Sequence, residues 1–167
     1  MKSYRFFKQG KNMCLAACLQ SVLSSRKLKM SSQQEISQKL NIHKDGINLD
    51  ETLLNSFLLT YNLRCRFVRP SETMIEPDIL LRGLPRDIDV LIFYDYAKLY
   101  SLDIEAGHFS LLADFQEGRE KEIYLHDNLA QKVEQVSLPD LTNSMRTFRN
   151  CGFYLIGTEE EIRGLRV

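Results

Sequence analysis

Net charge is missing from this chain, whose 22 Lys and Arg are balanced by 22 Asp and Glu. Nothing in that balance draws it to a nucleic-acid backbone or an anionic membrane, and a phosphate-binding role has no compositional support. A CxxC pair is missing too. The four cysteines, Cys14, Cys18, Cys65 and Cys151, are spaced for neither a zinc ribbon nor a disulfide framework. Cys14 and Cys18, four apart, could share a metal with histidines, but metal ligands normally cluster more tightly, and no metal or cofactor is expected. No run approaches the ~18 apolar residues of a membrane span. The opening MKSYRFFKQG has no apolar core of signal-peptide length, so a cytoplasmic location is expected. Repeats, low-complexity segments and linkers are likewise lacking. What is present, 44% hydrophobic and 26% charged residues over 167 positions, fits one globular domain spanning 1–167.

The stretch QGKNMCLAACLQSVL, Gln9 to Leu23, reads as a loop running into an apolar helix, with Asn12 as its N-cap. Cys14 then falls in the first turn, where the partial positive charge of a helix terminus favours thiolate over thiol. The Gln9 amide, folded back by the preceding loop, and the Cys14 N–H together form one kind of oxyanion hole for acyl transfer. Cysteines also fill cores inertly. Cys18 lies a turn deeper, beyond the reach of the dipole, and reads as a core residue.

The helix from about Met13 to Ser25 is apolar on nearly every side, the mark of a buried helix. Ser32 and Glu35 have capping-box spacing before a short amphipathic helix carrying Ile36 and Leu40. After a loop with Gly46, Asp50 or Asn48 caps a third helix, with Leu53, Leu54, Phe57, Leu58 and Tyr61 at helical spacing. Leu63–Arg69 alternates as a strand with Cys65 inward. An irregular stretch punctuated by Pro70, Pro77 and Pro85 holds one helical turn near Ile79–Leu84, and Asp89–Tyr96 is a strand. Ala97–Gly107 reads as a loop long enough to border a cleft. GHFSLLADF and EIYLHDN form a hairpin about the turn QEGR. A helix starts near Leu138 with Pro139, CGFYLIG is a final strand, and Thr158 with Glu161 caps a terminal turn. The expected architecture is α+β, helices first and an antiparallel sheet second.

His108 opens the first strand of the hairpin. Phe109, Leu111, Ala113 and Phe115 alternate toward a core, leaving His108 on the other face with Ser110 and Leu112. A four-residue QEGR turn pairs Phe115 with Glu120 and sets His108 opposite Asp127, where a carboxylate fixes the imidazole tautomer. His126 has reversed parity and His43 lies in a polar loop, so both read as surface histidines. A register slip of one would substitute Asn128 for Asp127 as the orienting group.

QGKNMCLAACLQSVL followed much later by GHFSLL and IYLHDN resembles the papain-like cysteine peptidase superfamily, most closely its bacterial bacteriocin-processing, double-glycine-leader branch. It differs from that branch in having Leu15 where a Gly usually follows the nucleophile, five rather than six positions from Gln to Cys, and Asp127-Asn128 rather than Asp-Pro. The resemblance implies a papain-like fold with Cys14 as nucleophile, Gln9 in the oxyanion hole, His108 as general base and Asp127 as its orienter. The implied activity is cysteine-dependent hydrolysis of a peptide or amide bond, such as processing of a leader peptide. Its partners would be a peptide or protein substrate and a separate exporter or precursor peptide. A catalytically silent peptide-binding module of the same fold and a secreted effector or toxin protease are the alternatives.

Overall fold

The computed structural model describes residues 2–43, 49–70, 76–103, 106–116, 121–148 and 150–165. The described residues form an α+β architecture of seven α-helices and one six-stranded sheet in which every neighbouring pair is antiparallel. The helices that come first are α1 (Cys14–Ser25), α2 (Gln33–Lys39) and α3 (Glu51–Leu58), the last continued by a 3-10 turn at Leu59–Tyr61. Next follow strand β1 (Arg64–Val68), helix α4 (Pro77–Gly83), strand β2 (Asp89–Asp95) and helix α5 (Tyr96–Leu99). Then come β3 (Gly107–Gln116), β4 (Glu122–Asp127), β5 (Lys132–Ser137), α6 (Leu138–Ser144), β6 (Gly152–Gly157) and α7 (Glu159–Arg163). The sheet order is β1-β6-β2-β3-β4-β5, so β2 to β5 are consecutive hairpin neighbours and β6 returns to fill the gap between β1 and β2.

Local chemistry accounts for the helix starts. Ser32 and Glu35 close a complete capping box on α2, Thr158 and Glu161 do the same on α7, and Asp50 accepts from the Leu53 N–H at the start of α3. Asn48 and Gly46, the other residues considered for that region, lie outside the described residues. α1 buries an unbroken run from Leu15 to Leu23. Fully burying each of its Leu and Val side chains contributes about 1.5–3 kcal/mol.

The sheet is covered on both faces. Leu91, Phe109, Leu111, Tyr154 and Ile156 pack with α1, α2 and α3, while Val90, Ile92, Tyr94, Leu125, Phe153 and Leu155 pack with Leu80 and Leu81 of α4 and Leu138 and Leu141 of α6. β6, buried at all six positions, is central to both layers.

Four sequence expectations are corrected here. Ala97–Gly107 is not all loop, because Asp95 caps the single helical turn α5 by accepting from the Lys98 N–H at 3.1 Å. β5 went unread. The hairpin register also differs: Phe115 pairs with Ile123, not Glu120, and Ala113 bulges out between Leu112 and Asp114. The bulge inverts the alternation beyond it, so Phe115 packs on the same side as Leu112 and not with Phe109 and Leu111. The carbonyl that the bulge exposes is satisfied by the Lys2 N–H at 2.6 Å. Finally, His126 is buried, stacked on Phe6 at 3.9 Å and edge-on to Tyr4 at 5.4 Å; His43 is exposed as expected.

Candidate active site

Cys14 is the first residue of α1, and the chain reaches it through a tight turn in which the Met13 N–H donates to the Gly10 carbonyl at 3.2 Å. Asn12 does not cap the helix. It takes a left-handed conformation in that turn, φ 58°, which Asn tolerates better than most side chains, and the N-cap position falls to Met13. No side chain caps α1 and its first turn carries no acid, so neither neutralises the backbone N–H groups that surround Cys14.

The helix is docked one turn further in, where the buried Cys18 thiol donates to the Phe109 carbonyl at 3.3 Å. One turn is about 5.4 Å along the axis, so Cys14 is set back from Phe109 toward the start of β3, where His108 stands. Cys14 stands close enough to His108 to act, with Asp127, on the ionisation of its imidazole. His108 Nε2 lies 3.1 and 3.2 Å from the two Asp127 oxygens, which leaves Nδ1 for the sulfur. Cys14 is partly buried, while His108 and Asp127 are buried.

Burial opposes the imidazolium of His108, but hydrogen bonds to Asp127 and Cys14 outweigh it and push the group up to about 9. Burial likewise opposes ionisation of Asp127. The His108 bond and the Leu129 and Ala130 N–H groups prevail, and the carboxyl is held below its ordinary range. The proton between His108 and Asp127 therefore resides on the imidazole.

Gly107 has a packing reason. A β-carbon there would come within 2.8 Å of the Phe93 ring, so only glycine lets β3 approach β2 immediately before His108. The imidazole is then edge-on to Tyr94 at 5.8 Å and to Tyr96 at 5.2 Å. Tyr94 is fixed by its own hydroxyl contact with Ser110 at 3.1 Å. These two tyrosines are part of the site that the sequence reading missed. Tyr94 pairs with His108 across β2 and β3, and that pairing carries no local signature.

Asn128 does not act on His108. Its Oδ1 accepts from the Phe7 N–H at 2.8 Å, and its Nδ2 faces Ser21 Oγ at 3.3 Å and Cys18 Sγ at 3.8 Å. It thus ties the N-terminal segment, α1 and the end of β4 together. Gln9 lies on that segment just before the turn. It is not hydrogen-bonded to Cys14, His108 or Asp127 among the described contacts, and its Oε1 is buried without a partner.

The arrangement can move a proton between a thiol and a buried imidazole and hold the resulting charge with a carboxylate. Among the described residues no group of three or more His, Cys, Asp or Glu side chains is set to hold a metal ion, and no helix is long and apolar enough to cross a membrane. Compared with models of known families and with curated proteins, the sequence matches none.

Proposed function

We propose that this protein is a cysteine-dependent hydrolase of peptide or amide bonds with a papain-like site. The observation that carries the reading is the buried His108–Asp127 pair with Cys14 beside it at the start of α1, near enough to raise the imidazole. In the proposed cycle His108 Nδ1 takes the Cys14 proton as the sulfur attacks the substrate carbonyl. The oxyanion accepts from the Cys14 backbone N–H and from the Gln9 carboxamide. The C–N bond then breaks, His108 protonates the departing amine, and a thioester remains. Water, deprotonated by His108, attacks that thioester and releases the acid and the free thiol.

The start of α1 supports this reading, since its N-cap residue Met13 makes no side-chain hydrogen bond to the N–H groups there and its first turn carries no acid. The tyrosine edges beside His108 support it as well, because they keep the imidazole in a low-dielectric setting where its charge-assisted bond to Asp127 is stronger. Resemblance to the leader-processing branch of papain-like peptidases makes an extended peptide the substrate class to try first. The test is mass-spectrometric trapping: incubation with a set of peptide substrates and a rapid acid quench should yield a thioester adduct on Cys14, absent in Cys14→Ala. Peptide binding without any adduct or cleavage would overturn the hydrolase in favour of a silent binding module.

A further inference from the structure

Three of the four hydrogen-bonding positions of one carboxamide outside the proposed triad are engaged, and two of them grip the peptide groups on either side of Gln9. Gln33, the first residue of α2, donates from Nε2 to the Lys8 carbonyl at 3.0 Å and accepts at Oε1 from the Gly10 N–H at 3.0 Å. Its Nε2 also donates to Gln20 Oε1 at 3.1 Å, and the buried Gln20 donates in turn to the Ser31 carbonyl at 2.8 Å. One flanking partner is a carbonyl and the other an N–H, so the carboxamide has a single satisfactory orientation.

Residues 8 to 10 lie outside every strand, yet they receive from one side chain the two hydrogen bonds that a neighbouring strand would give. Helix capping does not explain this, since Ser32 and Glu35 already close α2. Nor is the Gln9 side chain steered through its oxygen, which has no partner. Its aim is set by the backbone at Lys8 and Gly10. Gly10 also starts the turn that delivers Cys14, so a single amide fixes both the root of the Gln9 side chain and the approach to the nucleophile.

We propose that Gln33 is a positioning residue that holds Gln9 in register with Cys14 for oxyanion binding, with Gln20 as its brace. The inference rests on the thiol-hydrolase reading, and the test separates the two. Acylation of Cys14 by p-nitrophenyl acetate passes through a tetrahedral oxyanion, whereas alkylation by iodoacetamide occurs at a saturated carbon and reads only the thiolate. Both rates are measured on the full chain.

Gln33→Met should slow acylation ~10- to 100-fold, no more than Gln9→Ala does, because loss of an oxyanion donor costs ~10²–10³-fold and misplacement a part of that. Alkylation should stay within about twofold of wild type. The Gln9→Ala/Gln33→Met double variant should be no slower than Gln9→Ala alone, as expected when one residue acts through the other. Gln33→Glu keeps the acceptor for Gly10 and loses both donors, so it should fall between wild type and Gln33→Met, and it serves as the reporter if the Met variant does not fold. Acylation at the wild-type rate, an equal fall in acylation and alkylation, or additive losses in the double variant would overturn the positioning role. Wild-type Cys14 that alkylates but is not acylated would instead overturn the hydrolase reading, and the positioning role with it.

Discussion

His108 and Asp127 meet on a diagonal of the sheet. Leu111 pairs with His126, so continuation of that register sets Ser110 against Asp127, and His108 lies two residues beyond. Diagonal neighbours in an antiparallel pair are ~7–8 Å apart at Cα, a gap that an imidazole and a carboxylate span together to give the 3.1 Å contact. Asp127 is also committed to its own turn, accepting from the Leu129 N–H at 2.7 Å and the Ala130 N–H at 3.3 Å. One carboxylate therefore closes the β4–β5 connection and orients the imidazole.

That dual role shapes the effect of replacing it. Asp127→Asn keeps an oxygen for the turn but removes the charge that raises His108, so the alkaline limb of kcat/KM, expected near 9 in the wild type, should move to lower pH. Asp127→Ala should also lose about 1–3 kcal/mol of stability, because two backbone donors lose their acceptor. A pH–rate profile with an unmoved alkaline limb in Asp127→Asn would remove Asp127 from the proton path.

Thiol reactivity should single out one cysteine of four. Cys18, Cys65 and Cys151 are buried, and burial pushes each thiol up, Cys151 to about 12. Iodoacetamide near neutral pH should label Cys14 first, as read by peptide mapping. Cys14→Ala should abolish turnover at near wild-type stability. Cys18→Ala should instead cost about 1–3 kcal/mol, since it strips partners from the Phe109 carbonyl and Asn128. Activity retained in Cys14→Ala and lost in a folded Cys18→Ala would mean the nucleophile is misassigned.

What the sequence disclosed and what it hid divide along a physical line. Ser32 with Glu35, Thr158 with Glu161, and Asp50 act within four residues, so their caps were legible. The shared face of His108 and Asp127 was legible because strand parity survives an error in turn length, provided the slip is even in net effect. The bulge at Ala113 was not, since it is completed by Lys2 from the other end of the chain. β5 escaped because it is an edge strand, half exposed, whose KVEQVS has little apolar alternation. Parity put His126 on the opposite face from Asp127, yet nothing local reveals that Tyr4 and Phe6 cover it. Gln33 carried no signal, as an exposed-looking glutamine after a cap is ordinary.

Gly107→Ala should damage the site without touching a reacting group. The added methyl meets the Phe93 ring at 2.8 Å, and that ring is stacked on Phe109 at 4.3 Å, so it has little room to withdraw. Overpacking of this kind costs about 1–3 kcal/mol, and the relaxation available is a shift of β3 at the residue before His108. Turnover should fall more than the loss of stability explains at a temperature where the variant is folded, with the His108 Nε2 resonance moved in a nitrogen-detected NMR spectrum. An unchanged resonance and rate would show that the Phe93 ring yields instead.

The two buried histidines should tilt the stability curve in opposite directions. His108 is raised in the folded state from 6.5 to about 9, so its contribution is fully present below 6.5 and is lost as pH rises toward 9. The shift corresponds to on the order of 3 kcal/mol. His126 is lowered by burial, against hydrogen bonds to Asn128 and the Arg5 carbonyl, so the unfolded chain binds its proton more readily and stability declines as pH falls below 6.5. Urea unfolding across this range should therefore give a maximum near the ordinary histidine value, falling on both sides. His108→Gln should flatten the alkaline side, and His126→Gln the acid side above the carboxylate range. His126→Ala, which a surface histidine would tolerate, should in addition cost about 1–3 kcal/mol through the space left against Phe6 and Tyr4. If His126→Gln flattens the alkaline limb and His108→Gln the acid one, the protonation states assigned to the two rings are exchanged.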